Sequence, residues 1–219
     1  MTGLRCYTLG PFVQNCYLLT GPSGRKAALV DPGFDSDALL EILVEQELEL
    51  EWIVNTHGHV DHIAGNRFFK EKTGARLILH PEDEPLLAEA PAHARMFGLE
   101  VEPSPPPDEY FEPGSPFVFD GVEFGVIHTP GHSPGSVCLH REGGLLVGDT
   151  LFQGSVGRSD LPGGNHEVLV ASIRRKLFTL PGATTCHPGH GPQTTLADER
   201  RNNPFVSDRA VGEPSEENR

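Results

Sequence analysis

The 219-residue sequence predicts a mixed α/β (α+β) fold of four layers, in which two mixed β-sheets lie face to face and helices flank them on both sides. Three observations predict this αββα arrangement. Short β-prone runs occur in two groups, one in each half of the chain, and runs with apolar residues at helical spacing follow each group. The length fits one large domain, since about 150 residues per domain is typical.

The first half of the chain contains five predicted strands, at 4–9, 15–20, 26–31, 52–55 and 76–79. Three runs with a helical stripe predict helices, at 35–47, 64–73 and 82–90. The turn-rich GPSGR stretch separates the second strand from the third, and the first three strands are predicted to form an antiparallel meander. Gly74 occupies the usual position after a helix end, and Pro81 introduces the helix that follows.

The second half repeats this order after a proline-rich run at 103–107, which is predicted to be a surface connection because proline lacks an amide donor. Strands are predicted at 117–119, 122–128, 137–140, 145–149 and 183–186. Helices are predicted at 166–180 and 196–202. We therefore expect one domain, residues 1–205, followed by a polar, disordered tail, residues 206–219.

The composition argues against several classes of partner. The chain has 17 Lys and Arg against 31 Asp and Glu, a formal net charge of −14, whereas nucleic acids and anionic membranes are bound mainly through basic residues. No apolar run approaches the roughly 20 residues that cross a bilayer, and the amino terminus lacks a signal-peptide core. We expect a cytoplasmic protein with reduced cysteines and a small-molecule substrate, and the oligomeric state stays open.

Three of the 11 histidines fall within six residues. His57 and His59 flank Gly58 directly after a predicted strand, and Asp61 and His62 stand at the entry of the next helix. Gly58 is expected to let the backbone turn so that both imidazoles converge. Groups packed this closely would repel one another once charged and gain nothing without a cation between them. The spacing therefore predicts ligands for more than one metal ion.

Three further candidate ligands stand at strand ends that glycine-bearing turns follow, namely His132, Asp149 and His190. A lone strand-end aspartate is more often a turn former, and a lone histidine is more often a surface or core residue. Each becomes a candidate because the other two are present and because the motif at 57–62 needs further ligands to complete the metal sites.

With these residues the sequence resembles the metallo-β-lactamase superfamily, whose HxHxDH signature is matched by residues 57–62. The resemblance runs from the LGPFVQNCYLL strand pair to the Asn203-Pro204-Phe205 ending. It is nearest to the glyoxalase II-like branch, the hydroxyacylglutathione hydrolases, and to the short, single-domain subgroup of that branch. The metallo-β-lactamase sandwich is the fold that it implies. Asp149 stands where some true β-lactamases have a cysteine ligand, which disfavours antibiotic hydrolysis.

The resemblance also implies two metal sites. The ligands of the first metal would be His57, His59 and His132. The ligands of the second metal would be Asp61, His62 and His190. Asp149 would bridge both metals, and Asp61 would also orient the bridging hydroxide. Five imidazoles and two carboxylates suit two divalent cations, with Zn²⁺ preferred and Fe²⁺ or Mn²⁺ as alternatives.

The chemistry that follows is hydrolysis of a thioester such as S-lactoylglutathione, a hydroxyacylglutathione. Hydroxide held by the two metals would be available at neutral pH and would attack the carbonyl carbon, so no serine or cysteine nucleophile is required. Larger relatives carry a helical carboxyl-terminal domain that binds glutathione. The few residues after His190 leave no room for such a domain, so the physiological substrate stays open.

Five other residues are expected near the ligands. Asp31 is expected to hold the histidine loop through backbone hydrogen bonds. Arg158 could contact the substrate, although a structural pair with Asp160 is favoured. His128 and His187 lie in the two ligand loops, where a role in orienting a ligand and a purely structural role are about equally favoured.

Other functions compete with thioester hydrolysis. A mononuclear Fe²⁺ enzyme of the persulfide dioxygenase type would use His57, His132 and Asp149 and would consume O₂, but the complete second set of ligands disfavours it. A metal-stabilised binding module is disfavoured because structural zinc sites are closed shells of four ligands. Metal stoichiometry, combined with oxygen uptake on glutathione persulfide, would distinguish these hypotheses.

Overall fold

A computed structural model describes residues 3–210 and shows two mixed six-stranded sheets with helices on their outer faces. The four-layer fold predicted from the sequence is confirmed. Apolar side chains of both sheets meet in one buried cluster, in which Tyr17 and Trp52 of the first sheet lie with Phe117 and Leu139 of the second. Side chains on the opposite face of each sheet pack against helices, so each sheet is covered on both sides.

The strands of the first sheet follow one another in chain order, as β1 (Leu4–Leu9), β2 (Gln14–Thr20), β3 (Lys26–Val30), β4 (Glu49–Val54), β5 (Arg76–Leu79) and β6 (Glu109–Tyr110). Strands β1 to β3 form the predicted antiparallel meander, and β3 to β6 run parallel to one another. Strand β2 is buried along almost its whole length because both faces of this sheet are covered.

The remaining strands are, in chain order, β7 (Phe117–Phe119), β8 (Val122–His128), β9 (Val137–Arg141), β10 (Gly144–Gly148), β11 (Leu151–Phe152), β12 (Ser155–Val156), β13 (Thr185–Pro188) and β14 (Thr194–Thr195). The second sheet has the order β14-β13-β10-β9-β8-β7, and β11 pairs with β12 in a separate hairpin. Strands β7 to β10, which correspond to the strands predicted at 117–119, 122–128, 137–140 and 145–149, form a second antiparallel meander. Strands β6, β11, β12 and β14 are absent from the sequence prediction because two residues cannot show an alternating pattern.

The structure has six α-helices in its described part, α1 (Asp37–Glu45), α2 (Val60–Ile63), α3 (Asn66–Thr73), α4 (Glu84–Met96), α5 (His166–Ser172) and α6 (Leu196–Asn202). The helix predicted at 64–73 corresponds to α3, which begins at Asn66, and the short helix α2 before it was not predicted. Gly74 ends α3 in the left-handed conformation. The helix predicted at 166–180 continues from α5 as a π-helical segment, Ile173–Leu177. Within residues 3–210, none of the helices combines the length and the apolar character needed to cross a bilayer.

Helix α4 is longer than the sequence predicts and contains Pro91 in its interior. Proline removes one helical hydrogen bond and usually ends or bends a helix. Here Leu87, Ala90 and Ala94 are buried in one cluster with Ile63, so the packing of this face offsets the missing bond.

The packed chain also extends beyond residue 205, the end expected for the domain. Val206 is fully buried in the cluster between the second sheet and its helices, and its carbonyl oxygen accepts a hydrogen bond from Arg174 at 2.7 Å. Ser207 is buried as well, and Asp208 pairs with Arg174 at 3.2 Å. Residues 211–219, the rest of the expected tail, lie outside the described residues.

The four cysteines are free thiols of unequal access. Cys6 is exposed, whereas Cys16, Cys138 and Cys186 are fully buried. Burial raises the pKa of Cys138 to about 11, and it also raises the pKa values of Cys16 and Cys186. Because the thiolate is the reactive form, we expect one equivalent of thiol to react with an aromatic disulfide reagent in the native protein and four in denaturant. A second fast equivalent in the native protein would contradict this burial pattern.

Candidate metal centre

The histidine motif occupies the loop where the chain leaves β4 and enters α2. Asn55, the first residue after the strand, is fully buried and donates a hydrogen bond from Nδ2 to the carbonyl oxygen of His62 at 3.2 Å. Its side chain also pairs with that of Asn66 on α3, with Asn66 Nδ2 at 2.8 Å from Asn55 Oδ1. Sequence reasoning missed this amide pair, which ties both ends of the loop to the helix behind it.

Gly58 is required for close packing rather than for backbone freedom. It does not take a left-handed conformation, contrary to the role expected from the sequence. A Cβ atom at this position would lie 2.8 Å from the carbonyl oxygen of Asp83 and 2.9 Å from Cβ of Leu86. These distances are shorter than real side chains tolerate, so only glycine lets the loop approach helix α4 this closely.

His57, His59 and His132 form the first cluster, in which all three rings are buried and their ligand nitrogens lie within 4.8 Å of one another. Nε2 of His132 is 3.1 Å from Nε2 of His57 and 2.8 Å from Nδ1 of His59. Nδ1 of His132 lies 2.6 Å from the carbonyl oxygen of Arg158. Because a carbonyl only accepts, Nδ1 carries a hydrogen, which leaves Nε2 as the atom of His132 that can present a lone pair to the cluster.

The same reasoning applies to His57. The hydroxyl of Thr56 donates to Asp31 Oδ2 at 2.6 Å, so its oxygen is left to accept from Nδ1 of His57 at 3.1 Å. Nε2 of His57 therefore also presents a lone pair, and it faces the lone pair of His132. Burial and the neighbouring imidazoles hold the pKa of His57 well below its usual range, and burial with His132 lowers the pKa of His59 to about 3. Apposed neutral imidazoles of this kind fit a divalent cation between them.

Asp61, His62 and His190 form the second cluster. Nε2 of His190 is 3.1 Å from Asp61 Oδ2, and Nδ1 of His62 is 3.0 Å from Asp31 Oδ2. Nε2 of His62 is buried and has no hydrogen-bond partner. Burial alone would lower the pKa of His62, but the carboxylates of Asp149, Asp31 and Asp61 outweigh it and raise that pKa well above its usual range. The carboxylates therefore favour a positive charge at this point, which a metal ion would supply.

Asp149 lies between the two clusters, directly after β10. Its Oδ1 is 3.3 Å from Nε2 of His62, and its Oδ2 is 3.6 Å from Nε2 of His132 and 3.7 Å from Nε2 of His190. Oδ1 is buried without a hydrogen-bond partner. Burial alone would raise the pKa of Asp149, but the surrounding imidazoles outweigh burial and hold that pKa well below its usual range. The group is therefore held as a carboxylate. An ionised oxygen that has imidazoles around it but no hydrogen bond fits a ligand shared by two cations.

Two glycines that sequence reasoning missed make room for Asp149, one for its carboxylate and one for its backbone. A Cβ atom on Gly189 would overlap the carboxylate of Asp149 and the ring of His62. A Cβ atom on Gly157 would overlap the carbonyl oxygen of Asp149 and lie 3.0 Å from Nδ1 of His132. Glycine next to a predicted ligand was visible in the sequence, but the close approach depends on segments that are distant along the chain.

Asp31 lies beneath both clusters. It accepts a hydrogen bond from the backbone amide of Thr56 at 2.7 Å, in addition to the contacts of its Oδ2 with the Thr56 hydroxyl and with His62. Its φ of 52° places it in the left-handed region, where aspartate is one of the few residues that occur regularly. Asp31 thus holds the histidine loop, as expected, and also contacts an imidazole of the second cluster directly.

The four other residues expected near the ligands make different kinds of contact. Arg158 and Asp160 are exposed and form a two-point ion pair with both N···O distances at 3.0 Å, while the Arg158 carbonyl contacts His132. His128 Nε2 lies 2.8 Å from the carbonyl oxygen of Pro134, in the loop that carries His132. His187 packs against the ring of Tyr17 in the interior, and burial lowers its pKa.

Comparison with known proteins supports this arrangement. A model of the metallo-beta-lactamase superfamily matches residues 9–190. The hydroxyacylglutathione hydrolase GloC of Haemophilus influenzae is 36% identical over 203 residues, which cover 91% of this chain and 95% of that protein. Two solved structures are similar over nearly their full lengths. TTHA1623 in a di-iron-bound form is 41% identical with a TM-score of 0.85, covering 92% of this chain and 100% of that one.

The second solved structure, the B3 metallo-beta-lactamase BLEG-1, is 37% identical with a TM-score of 0.87, and the alignment covers 93% of this chain and 99% of that one. Family members bind divalent metal ions, and the two clusters described above supply donors of the required kind. On the family match, the full-length relatives and the fold, the chain belongs to the metallo-beta-lactamase superfamily, as the resemblance in its sequence predicted.

Proposed function

We propose that this protein is a dinuclear metallohydrolase that cleaves thioesters of the hydroxyacylglutathione type, with S-lactoylglutathione as the type substrate. The observation that carries the proposal is the position of Asp149, whose carboxylate contacts an imidazole of each three-ligand cluster. A single mononuclear site would not require the second cluster, so this arrangement supports two ions and argues against the mononuclear dioxygenase. The similarity to hydroxyacylglutathione hydrolase GloC supports the choice of substrate class.

In this proposal the seven ligands are His57, His59 and His132 for one ion, Asp61, His62 and His190 for the other, and Asp149 for both. Zn²⁺ is the preferred ion, and Fe²⁺ or Mn²⁺ would suit the same donors. The similar structure TTHA1623 holds two irons, which supports a pair of ions in this fold. When bound, two such ions supply a nucleophile at neutral pH and polarise a carbonyl group.

The chain's own residues orient and expose this centre. His132 is fixed in one tautomer by the Arg158 carbonyl, and His62 is fixed by Asp31. The side chains of Asp61 and His190 remain 20% and 27% exposed, whereas that of His62 is fully buried. Substrate would therefore approach from the side of Asp61 and His190, where Asp61 would orient the attacking group.

The test is an activity panel on protein whose metal content has been measured. We expect two Zn²⁺ per chain and a kcat/KM on S-lactoylglutathione of at least about 10⁴ M⁻¹s⁻¹, within the usual range for enzymes. Simple acyl thioesters would show which part of the substrate is recognised. A fully metallated protein without activity on any thioester would overturn the proposal. One iron per chain with oxygen uptake on glutathione persulfide would favour the dioxygenase instead.

A β-lactam belongs in the same panel because BLEG-1 is a B3 metallo-beta-lactamase. We expect hydrolysis of the β-lactam to be at least about 100-fold less efficient than that of the thioester, a difference of about 3 kcal/mol in transition-state stabilisation. A preference in the opposite direction would assign the centre to lactam hydrolysis.

A further inference from the structure

Asp83 is a buried carboxylate outside the predicted ligand set. It ends the short 3₁₀ turn Pro81–Asp83 that joins β5 to α4, and its exposed fraction is 0%. Its Oδ2 accepts hydrogen bonds from the amide of Gly58 at 2.8 Å and from the hydroxyl of Ser133 at 2.6 Å. Its Oδ1 accepts from the amide of Gly135 at 2.6 Å. Three donors from two distant segments therefore converge on one side chain.

The donors identify what this carboxylate connects. Gly58 lies between His57 and His59, and Ser133 directly follows His132. Asp83 thus joins the loop at the end of β4 in the first sheet to the loop after β8 in the second. Those two loops carry all three imidazoles of the first cluster.

The packing around Asp83 leaves little room for the two loops to shift. A Cβ atom on Gly58 would lie 2.8 Å from the Asp83 carbonyl oxygen, and one on Gly135 would lie 2.8 Å from Cγ of Asp83. Without the carboxylate, two backbone amides and one hydroxyl would be left buried without this acceptor. The loops would then relax to other positions, and the imidazoles of the first cluster would move apart.

We propose that Asp83 is a positioning residue for the three-imidazole cluster, where it sets the spacing between His57, His59 and His132 and so sets the affinity of that cluster for a divalent cation. It acts through the loops and does not contact the ion. Asp31 has the corresponding contact with the second cluster through His62. The inference rests on the metal centre of the proposed function but not on the substrate.

The test measures Zn²⁺ affinity by titration against a chelator that competes for the ion, in two backgrounds that each isolate one cluster. In the H190A background the first cluster is intact, and D83N should weaken Zn²⁺ binding about 10- to 100-fold, the usual effect of losing a group that orients ligands. In the H132A background the second cluster is intact, and D83N should change Zn²⁺ affinity by less than about threefold.

Glu199 offers a matched control. It is also buried, with an exposed fraction of 3%, and its carboxylate also accepts three hydrogen bonds, from Gly154, Thr194 and Asn203. None of these donors lies next to a proposed ligand. E199Q should lower thermal stability as D83N does, but should leave the Zn²⁺ affinity of both clusters within about threefold of the parent.

Several outcomes would overturn the inference. These are an unchanged affinity of D83N in the H190A background, an equal loss in both backgrounds, or an equal loss in E199Q. If D83N does not fold, S133A removes one of the three hydrogen bonds and should weaken only the first cluster, about threefold to tenfold. No substrate enters the experiment, so a chain that binds two Zn²⁺ but lacks thioesterase activity would overturn the proposed substrate alone. A parent chain that binds no Zn²⁺ would overturn both proposals.

Discussion

Replacing Asp149 with alanine should lower the kcat/KM for thioester hydrolysis about 1,000-fold, a loss of about 4 kcal/mol of transition-state stabilisation. The reason is its position, since its carboxylate contacts His62, His132 and His190 and thereby joins the two clusters. Its loss removes a negative charge that both ions would share, so metal content should fall from two ions per chain to one or none. Metal analysis and steady-state kinetics on the same sample would check both expectations.

Two further variants, D149N and D37A, test whether the effect depends on the charge and on the position of Asp149. Asparagine keeps the shape of Asp149 but not its charge, so D149N should lose nearly as much activity as D149A. Asp37 is an exposed carboxylate in the first turn of α1, on the outer side of the first sheet, and D37A should leave metal content and kcat/KM within about twofold. A D149A variant that retains two ions and most of its activity would show that Asp149 is not the shared ligand.

Removal of the metal should lower the melting temperature by at least about 10 °C. An ion present at a thousand times its dissociation constant stabilises the folded state by about 4 kcal/mol per site, which is about 8–16 °C for a domain of this size. The structure supplies the physical reason, because the lone pairs of His57 and His132 face each other at 3.1 Å and Asp149 Oδ1 has no hydrogen-bond partner. Without a cation, these contacts are unfavourable.

Thermal unfolding with and without a chelator would measure this effect, and added Zn²⁺ should restore the original transition. The D149A variant serves as the control, because it should lose much less on chelation than the parent does. A parent protein whose melting temperature changes by less than about 2 °C, after metal analysis has shown that the ions are gone, would contradict the stabilising role assigned to the centre.

The sequence predicted those parts of the candidate site whose residues lie close together along the chain, and it predicted the more distant parts less well. His57, His59, Asp61 and His62 are close neighbours in sequence, so their spacing alone indicates ligands. Asp149 is a single strand-end aspartate and became a candidate only together with other residues. Asp83 gave no signal, because its donors are 25 residues before it, at Gly58, and 50 and 52 residues after it, in the loop beyond His132.

The fold shows the same division. Strands β1, β5, β7 and β8 and helix α6 have the bounds that the sequence predicts, because each carries enough residues to display its periodicity. Strands of two residues are too short to display an alternating pattern. Helix α4 extends past Pro91 because its buried contacts offset the local preference of proline to end a helix. Local patterns therefore predict most elements, and packing decides where they begin and end.

The sequence by itself determined the four-layer class, the family and the types of donor at the candidate centre, because periodicity and ligand spacing are local properties. Only the tertiary structure decided which donors meet, with Asp149 between two clusters, Asp31 beneath them and Asp83 joining their loops. Those contacts connect strand ends of two different sheets. Which strand ends lie together follows from how the sheets stack, and that stacking depends on the whole buried core rather than on any one segment.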